Sequence, residues 1–154
     1  MLFHQLYGVP TVALRYFNVF GPRQDPTSEY SAVIPKFVTL AKAGKNPMIY
    51  GDGEQTRDFT FIANVVQANR NACTAGPSAH GRYFNIACGD RISLNGLVEM
   101  IGELTGSDVK AEHAEARAGD IKHSLAGIDE ATEHLSYKPA IDFREGLRRT
   151  IEAY

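Results

Sequence analysis

The chain has 154 residues, of which 44% are hydrophobic, and its formal net charge is −2. This length is typical of one domain of roughly 100–200 residues, and the hydrophobic content suffices for one modest core. Positive and negative residues are interspersed, which excludes both a nucleic-acid-binding basic stripe and a charged disordered tail.

The first predicted elements are a short helix and a strand. Apolar residues of 2–7 have helical spacing, and Gly8 with Pro10 indicates the end of that helix. This segment has neither the basic region of a signal peptide nor the apolar length of a membrane span. We therefore expect a cytoplasmic protein without membrane contacts. The dense β-branched and apolar residues of 11–17 predict a buried strand.

A helix and a pair of strands are predicted next. The apolar spacing of 33–41 predicts a helix that ends at Gly44. Strands are expected at 48–50 and 55–62, because both are short runs rich in strand-forming residues. Residues 51–53, Gly-Asp-Gly, tolerate positive φ and predict that the two strands form a hairpin or tight turn.

The remaining chain continues the alternation of strands and helices. Periodicity and capping residues predict a helix at 63–74, a strand at 82–87, a helix at 93–104, an edge strand at 109–116, and helices at 129–135 and 142–154. Asp142 and Glu145 match a capping box. Cys73 and Cys88 lie in apolar runs without zinc-ligand spacing, so we expect buried free thiols and no metal site. The fold class predicted is α/β in a single region, 1–154.

Loop arginines beside glycine are the main candidates for ligand contacts. Arg23, Arg57 and Arg117 lie in or near turns, and a guanidinium suits the bidentate binding of phosphate oxygens. A solvated surface arginine is the alternative at each position. Asn18 follows an apolar strand, where open α/β sheets place their binding crevice. Asn18 either contacts a ligand or simply ends the strand.

The order of five segments carries a family resemblance. They read LRYFNVFGPRQDP, AVIPKF, PMIYGDGEQTRDFTFI, YFNIACGDRISLNGL and RAGDIKHSLAGI. Together they resemble the NAD-dependent epimerase/dehydratase family of extended short-chain dehydrogenases/reductases, and within it the nucleotide-sugar epimerases. The resemblance covers essentially the whole chain. It implies the C-terminal substrate-binding part of a Rossmann-type fold that lacks most of the parallel sheet, with 1–21 the end of the catalytic helix and a sheet strand, and 22–154 the substrate-binding subdomain.

The resemblance also implies roles for individual residues toward a UDP-sugar. Asn18 would contact the diphosphate, Arg57 and Arg117 would clamp it, and Asp120 would hold the ribose hydroxyls. The remaining positions implied are Ala32 and Val33 lining the pocket, Met48, Ile49 and Tyr50 facing the uridine, and Tyr16 and Phe17 beside the nicotinamide.

Ser124 is the most specific position that the resemblance implies. It lies four residues after the Asp of the RAGD segment, where a small side chain in this family is associated with room for an N-acetyl group on sugar C2. A plain loop serine is the alternative.

The catalytic groups of the family are not found in this sequence. No tyrosine is followed four residues later by lysine, and no glycine-rich cofactor turn occurs. The resemblance places both upstream of Met1, so we expect no catalytic residue in this chain. NAD would be the cofactor of the complete enzyme, and we expect no NAD binding or turnover by this chain alone. Relatives form homodimers through helices that include residues 2–7, so we expect no normal dimer here.

The resemblance implies a 4-epimerase that converts UDP-glucose or UDP-N-acetylglucosamine to the galacto form by transient oxidation at C4. Two alternatives stay open. One is a nucleotide-sugar 4,6-dehydratase or decarboxylase, against which RQDP and HSLAGI favour the epimerases. The other is a non-catalytic nucleotide-sugar-binding module.

Overall fold

The computed structural model describes residues 1–27, 33–117 and 119–154. In these residues the strands form four separate two-stranded sheets. The elements are α1 (Leu2–Tyr7), β1 (Val12–Tyr16), β2 (Val19–Phe20), α2 (Val33–Lys42), β3 (Met48–Tyr50), β4 (Thr56–Arg57), β5 (Thr60–Phe61), α3 (Ile62–Cys73), a 3₁₀ turn (Pro77–Ala79), β6 (Arg82–Ile86), β7 (Ile92–Ser93), α4 (Leu94–Thr105), β8 (Glu112–Ala114), α5 (Asp129–Leu135) and α6 (Phe143–Glu152). The predicted α/β class is confirmed.

The strand pairs join segments that are distant in sequence. β1 pairs with β6, β2 with β5 and β3 with β8, all in parallel, whereas β4 and β7 pair antiparallel. The prediction of a fold with few parallel strands is therefore confirmed, because no sheet in the described residues exceeds two strands.

The predicted hairpin between 48–50 and 55–62 is wrong. β3 pairs with β8 instead, and 55–62 divides into β4 and β5, which belong to different sheets. Gly51 and Gly53 do adopt positive φ, 93° and 77°, as the turn requires. These glycines redirect the chain rather than reverse it against β3.

β1 is less buried than its composition predicts. Ala13, Arg15 and Tyr16 are exposed, and the Arg15 guanidinium lies over the ring of Tyr83 on the neighbouring strand. Within the described residues β6 is the only strand beside β1, and only Val12 and Leu14 pack on an apolar core. Burial of both faces would need neighbours that these residues do not provide.

The helices agree with the periodicity of the sequence, and their caps differ in detail. Ser93 caps α4 by accepting from the Gly96 N–H at 3.1 Å. Asp142 caps α6 by accepting from the Glu145 N–H at 2.8 Å. The Glu145 carboxylate accepts from arginines of its own helix, so only half of the capping box forms. Cys73 is exposed rather than buried, because it ends α3 on the solvent side.

Two apolar cores hold these elements together. The larger lies among α2, α4, α6 and the short strands, and includes the contacting rings of Phe20, Phe59 and Phe143. The smaller lies between the β1–β6 pair and α3 and α5, around Phe84 and the fully buried Tyr137. The candidate site lies at the edge of the larger core.

Candidate functional site

A cavity of about 460 Å³ opens between the start of α2, the strand β3 and the loop that contains Arg117 and Asp120. We call it the nucleotide cavity, after the ligand that the family resemblance implies for residues of its lining. Six predicted substrate contacts line it, namely Val33, Met48, Ile49, Tyr50, Arg117 and Asp120. They come from three separate segments of the chain. The remaining lining residues are Lys36, Phe37, Gln55, Leu94 and Gly119.

Strand β3, whose side chains alternate between the core and the exposed face, forms one wall of the nucleotide cavity. Ile49 points into the larger core and is 1% exposed, whereas Met48 and Tyr50 are 43% and 40% exposed. Successive strand residues point to opposite faces, so the buried isoleucine fixes the outward direction of both neighbours. The Tyr50 side chain is therefore directed away from the core and lines the cavity.

Arg117 lies on the ring of Tyr50. Its guanidinium carbon is 3.8 Å from the ring centroid, within the range of a cation–π contact. A second cavity of about 270 Å³ adjoins the first and shares Tyr50, Gln55, Arg117 and Asp120 with it. The Arg117–Tyr50 contact therefore borders both cavities.

Arg57 contacts the loop that contains Arg117 and Asp120. Its Nη2 donates to Asp120 Oδ1 at 2.5 Å, and its Nη1 donates to the backbone oxygens of Ile121 at 2.6 Å and Thr56 at 2.9 Å. The Arg57 side chain is 18% exposed and lines neither cavity. Of the two predicted diphosphate arginines, Arg117 therefore lines the cavity, whereas Arg57 contacts Asp120 in the same loop.

Asn18 lies in a left-handed turn at the end of β1, with φ 35°. Its Nδ2 donates to the Asp58 backbone oxygen at 2.9 Å, and its own backbone oxygen accepts from the Thr60 N–H at 3.2 Å. One amide proton of Asn18 therefore has a structural role between β1 and β5. Asn18 lines neither the nucleotide cavity nor its neighbour.

The other predicted contacts lie outside the nucleotide cavity. Ser124 is half-buried beside β4, where its N–H donates to the Thr56 backbone oxygen at 3.1 Å. Tyr16 is exposed at the end of β1, and its hydroxyl donates to Asn69 Oδ1 at 3.0 Å. Phe17 is half-buried, and its N–H donates to the Ile86 backbone oxygen at 3.0 Å. Ala32 lies outside the described residues.

Asp58 is an important residue that the sequence analysis missed. Its side chain is fully buried and accepts from three backbone N–H groups, those of Cys88 at 2.9 Å, Gly89 at 3.1 Å and Ala126 at 3.4 Å. Burial raises the pKa of this carboxyl, although the three hydrogen bonds oppose the rise. The only signal in the sequence is a charged residue between strand-forming neighbours.

Gln55 and Lys36 also line the nucleotide cavity without having been predicted. Gln55 is 7% exposed, and its Nε2 donates to the Tyr50 backbone oxygen at 2.7 Å. Its buried Oε1 has no hydrogen-bond partner among the described residues. Lys36 is exposed in the first turn of α2, between the buried Pro35 and Phe37.

The described residues contain neither a metal-ligand cluster nor a membrane-spanning helix. No three His, Cys, Asp or Glu side chains come close enough to hold a metal ion together. No helix in 1–27, 33–117 or 119–154 combines the length and the apolar character needed to cross a membrane.

Known proteins of similar sequence and structure match nearly the whole of this chain. Among solved structures, it resembles the UDP-glucose 4-epimerase of Thermotoga maritima with UDP-glucose (TM-score 0.92, 36% identity, 99% of this chain and 48% of that one). It equally resembles the UDP-N-acetylglucosamine 4-epimerase of Methanobrevibacter ruminantium M1 in complex with UDP-N-acetylmuramic acid (TM-score 0.91, 44% identity, 99% and 48%). The UDP-glucose 4-epimerase of Mycolicibacterium smegmatis is 33% identical over 99% of this chain and 48% of its own length.

The chain spans about half the length of the curated relatives it matches. Those relatives include nucleotide-sugar decarboxylases and dehydratases as well as epimerases. Residues 2–87 match the profile of the NAD dependent epimerase/dehydratase family. This match covers more than half of the chain and confirms the resemblance found in the sequence. The chain belongs to the NAD-dependent epimerase/dehydratase family.

Proposed function

We propose that this chain is the C-terminal, nucleotide-sugar-binding part of an NAD-dependent UDP-sugar 4-epimerase. The reaction would interconvert UDP-glucose or UDP-N-acetylglucosamine and its galacto epimer through transient oxidation at sugar C4. The observation that carries the proposal is the nucleotide cavity, which is lined by six residues from three segments that the resemblance implies as substrate contacts. In this proposal the tyrosine–lysine pair and the NAD-binding turn are supplied by residues outside the chain.

The chemistry of the nucleotide cavity suits a uridine diphosphate. The exposed face of β3 offers the Tyr50 ring and Met48 to the base, and both are apolar or aromatic surfaces on which a pyrimidine can pack. Arg117 supplies charge-assisted hydrogen bonds for phosphate oxygens. Asp120 can accept hydrogen bonds from ribose hydroxyls, and its contact with Arg57 holds its carboxylate in place.

The remaining roles belong to the same proposal. Asn18 keeps a second amide proton for a diphosphate oxygen after donating one to Asp58. Arg57 would complete the diphosphate clamp next to Asp120, and Ser124 would border the C2 substituent of the sugar. Ala32 would line the pocket with Val33. Tyr16 and Phe17, at the end of β1, would lie beside the nicotinamide in the complete enzyme.

A dehydratase or decarboxylase of nucleotide sugars is the second candidate. It is supported by relatives with those names that match nearly the whole of this chain. The pocket residues of the two candidates overlap, because both bind a nucleoside diphosphate sugar. The RQDP and HSLAGI segments favour the epimerase. A non-catalytic nucleotide-sugar-binding module would keep the cavity and have no activity in any complex.

Isothermal titration of the purified chain with UDP tests the binding part of this proposal. We expect saturable one-to-one binding that Arg117→Ala weakens by about tenfold, a typical loss for one charge-assisted contact. A chain that is folded by circular dichroism but does not bind UDP would contradict the proposal. The reaction needs a complete protein, in which this chain is joined to the tyrosine–lysine pair and the NAD-binding turn. Incubation of that protein with NAD and UDP-N-acetylglucosamine, followed by product chromatography, should give the galacto epimer, whereas a 4-keto-6-deoxy product would favour the dehydratase.

A further inference from the structure

Two cations of the nucleotide cavity lack a carboxylate partner. Lys36 and Arg117 both line the cavity, and neither forms a salt bridge with any described residue. The one carboxylate of the lining, Asp120, is paired with Arg57 at 2.5 Å. Among the residues that the structure describes, the nucleotide cavity therefore carries two positive charges without a carboxylate partner.

The side chain of Lys36 lies on the side of α2 that lines the nucleotide cavity. Pro35 and Phe37 are buried, whereas Lys36, between them in sequence, is exposed and lines the cavity. Val33, the first residue of α2, lines the same wall. The N-terminal end of a helix carries a partial positive charge, which adds to that of the lysine. This wall therefore attracts an anion.

A second observation in the same wall indicates a ligand. The Oε1 of Gln55 is buried and has no partner among the described residues, although the side chain lines both adjoining cavities. Buried polar atoms are normally hydrogen-bonded, so this open acceptor is typical of a site that a donor group of a ligand completes, such as the imide N–H of a uracil or a ribose hydroxyl.

We propose that Lys36 binds the diphosphate of the nucleotide together with Arg117. This inference rests on the proposed function and adds a residue to it. The diphosphate brings two negative charges to a cavity that has two unpaired positive ones. An ammonium group interacts with phosphate as a point charge, whereas the neutral base and ribose gain little from it. Lys36 should therefore affect the affinity for phosphate and leave the affinity for the nucleoside unchanged.

The test compares the affinities of the chain for UDP and for uridine in Lys36→Met, measured by titration calorimetry or competition. We expect UDP binding to weaken about fivefold to tenfold, and uridine binding to stay within about twofold. The loss should shrink as salt is raised from low to high ionic strength, because screening weakens the contact in the wild type. Lys36→Arg keeps the charge and should keep most of the UDP affinity.

Lys42→Met is the matched control, since Lys42 is exposed on the same helix but does not line the nucleotide cavity. It removes the same charge and should leave UDP affinity unchanged. Equal UDP affinity in Lys36→Met and the wild type would overturn the assignment. A parallel loss of uridine affinity in folded protein would also overturn it, since Lys36 would then act on the nucleoside. A folded wild-type chain that binds no UDP would instead overturn the proposed function itself.

Discussion

The Asp58 carboxylate accepts a hydrogen bond from the Cys88 N–H at 2.9 Å and so joins the bend between β4 and β5 to the end of β6. Its second oxygen accepts from the Gly89 and Ala126 N–H groups. Three chain segments thus depend on one buried side chain. Arg57, next in sequence, holds the Arg117–Asp120 loop, so this bend connects the internal framework to the candidate site.

We expect Asp58→Ala to destabilise the fold by about 3 kcal/mol, because it removes one buried acceptor from the backbone N–H groups of Cys88, Gly89 and Ala126. Urea denaturation followed by circular dichroism gives the free energy of unfolding. Asp108→Ala is the control, since Asp108 is 94% exposed and its nearest ion-pair distance is 3.8 Å. A loss below about 1 kcal/mol for Asp58→Ala would show that water replaces the carboxylate.

Arg57→Ala should weaken UDP binding by about tenfold, because it releases Asp120 and the loop that lines the nucleotide cavity. Calorimetric titration with UDP measures the change. Arg144→Ala serves as the control: Arg144 pairs with Glu103 on the α4–α6 surface at 2.9 Å and lines neither cavity. Unchanged affinity in Arg57→Ala would remove Arg57 from the site.

Glu145 gives the fold a specific acid sensitivity. Hydrogen bonds from Arg148 and then Arg149 lower the pKa of Glu145 from 4.5 to about 2. A carboxyl whose folded pKa is depressed contributes stability above its unfolded pKa and loses it as pH falls through the folded pKa. The stability difference between the wild type and Glu145→Gln should therefore be constant above about pH 4.5 and disappear toward pH 2.

Thermal denaturation of both proteins between pH 2 and 7 measures this difference. Glu99→Gln, on the exposed face of α4, is the control and should follow the wild-type curve. A wild-type advantage that persists unchanged at the lowest pH would exclude the ion pairs as its source.

Gly146→Ala should destabilise the protein although it replaces a glycine within helix α6. An added Cβ would lie 2.9 Å from ring and Cβ atoms of the buried Phe61. Alanine would gain about 1 kcal/mol in an exposed helix, but overpacking against a core residue costs about 1–3 kcal/mol. Chemical denaturation measures the net change in the free energy of unfolding. Gly76→Ala, where the new Cβ meets no atom within 4 Å, should change little. A stabilised Gly146→Ala protein would contradict the tight packing between α6 and β5.

The helices could be predicted well because their signals are local. The apolar spacing of α2, the serine before α4 and the aspartate before α6 each act within a few residues. The pairing of the strands could not be predicted in this way, because the partners are distant in sequence. β2, β5 and β7 are two residues long, and no periodicity defines so short an element.

The same division applies to the candidate site. Tyr50, Arg117 and Asp120 are site residues that the family resemblance implies, and the structure brings them to one cavity. Lys36 and Gln55 carry no motif of their own and become candidates only through the cavity that they line. Arg57 lies outside that cavity because its guanidinium donates to the backbone oxygen of Ile121 and to the carboxylate of Asp120. The sequence gives no indication of these contacts.

The parallel pairing of β3 with β8 has a consequence for the order of folding. Met48 lies opposite Glu112, and the chain between them contains α3, β6 and α4. Contacts between such distant segments form late, because loop-closure entropy must be overcome first. The walls of the nucleotide cavity therefore meet only when most of the chain has folded. A nucleotide that binds there would act as a reporter of complete folding, and at a concentration one hundred times its Kd would stabilise the native state by about 2.7 kcal/mol.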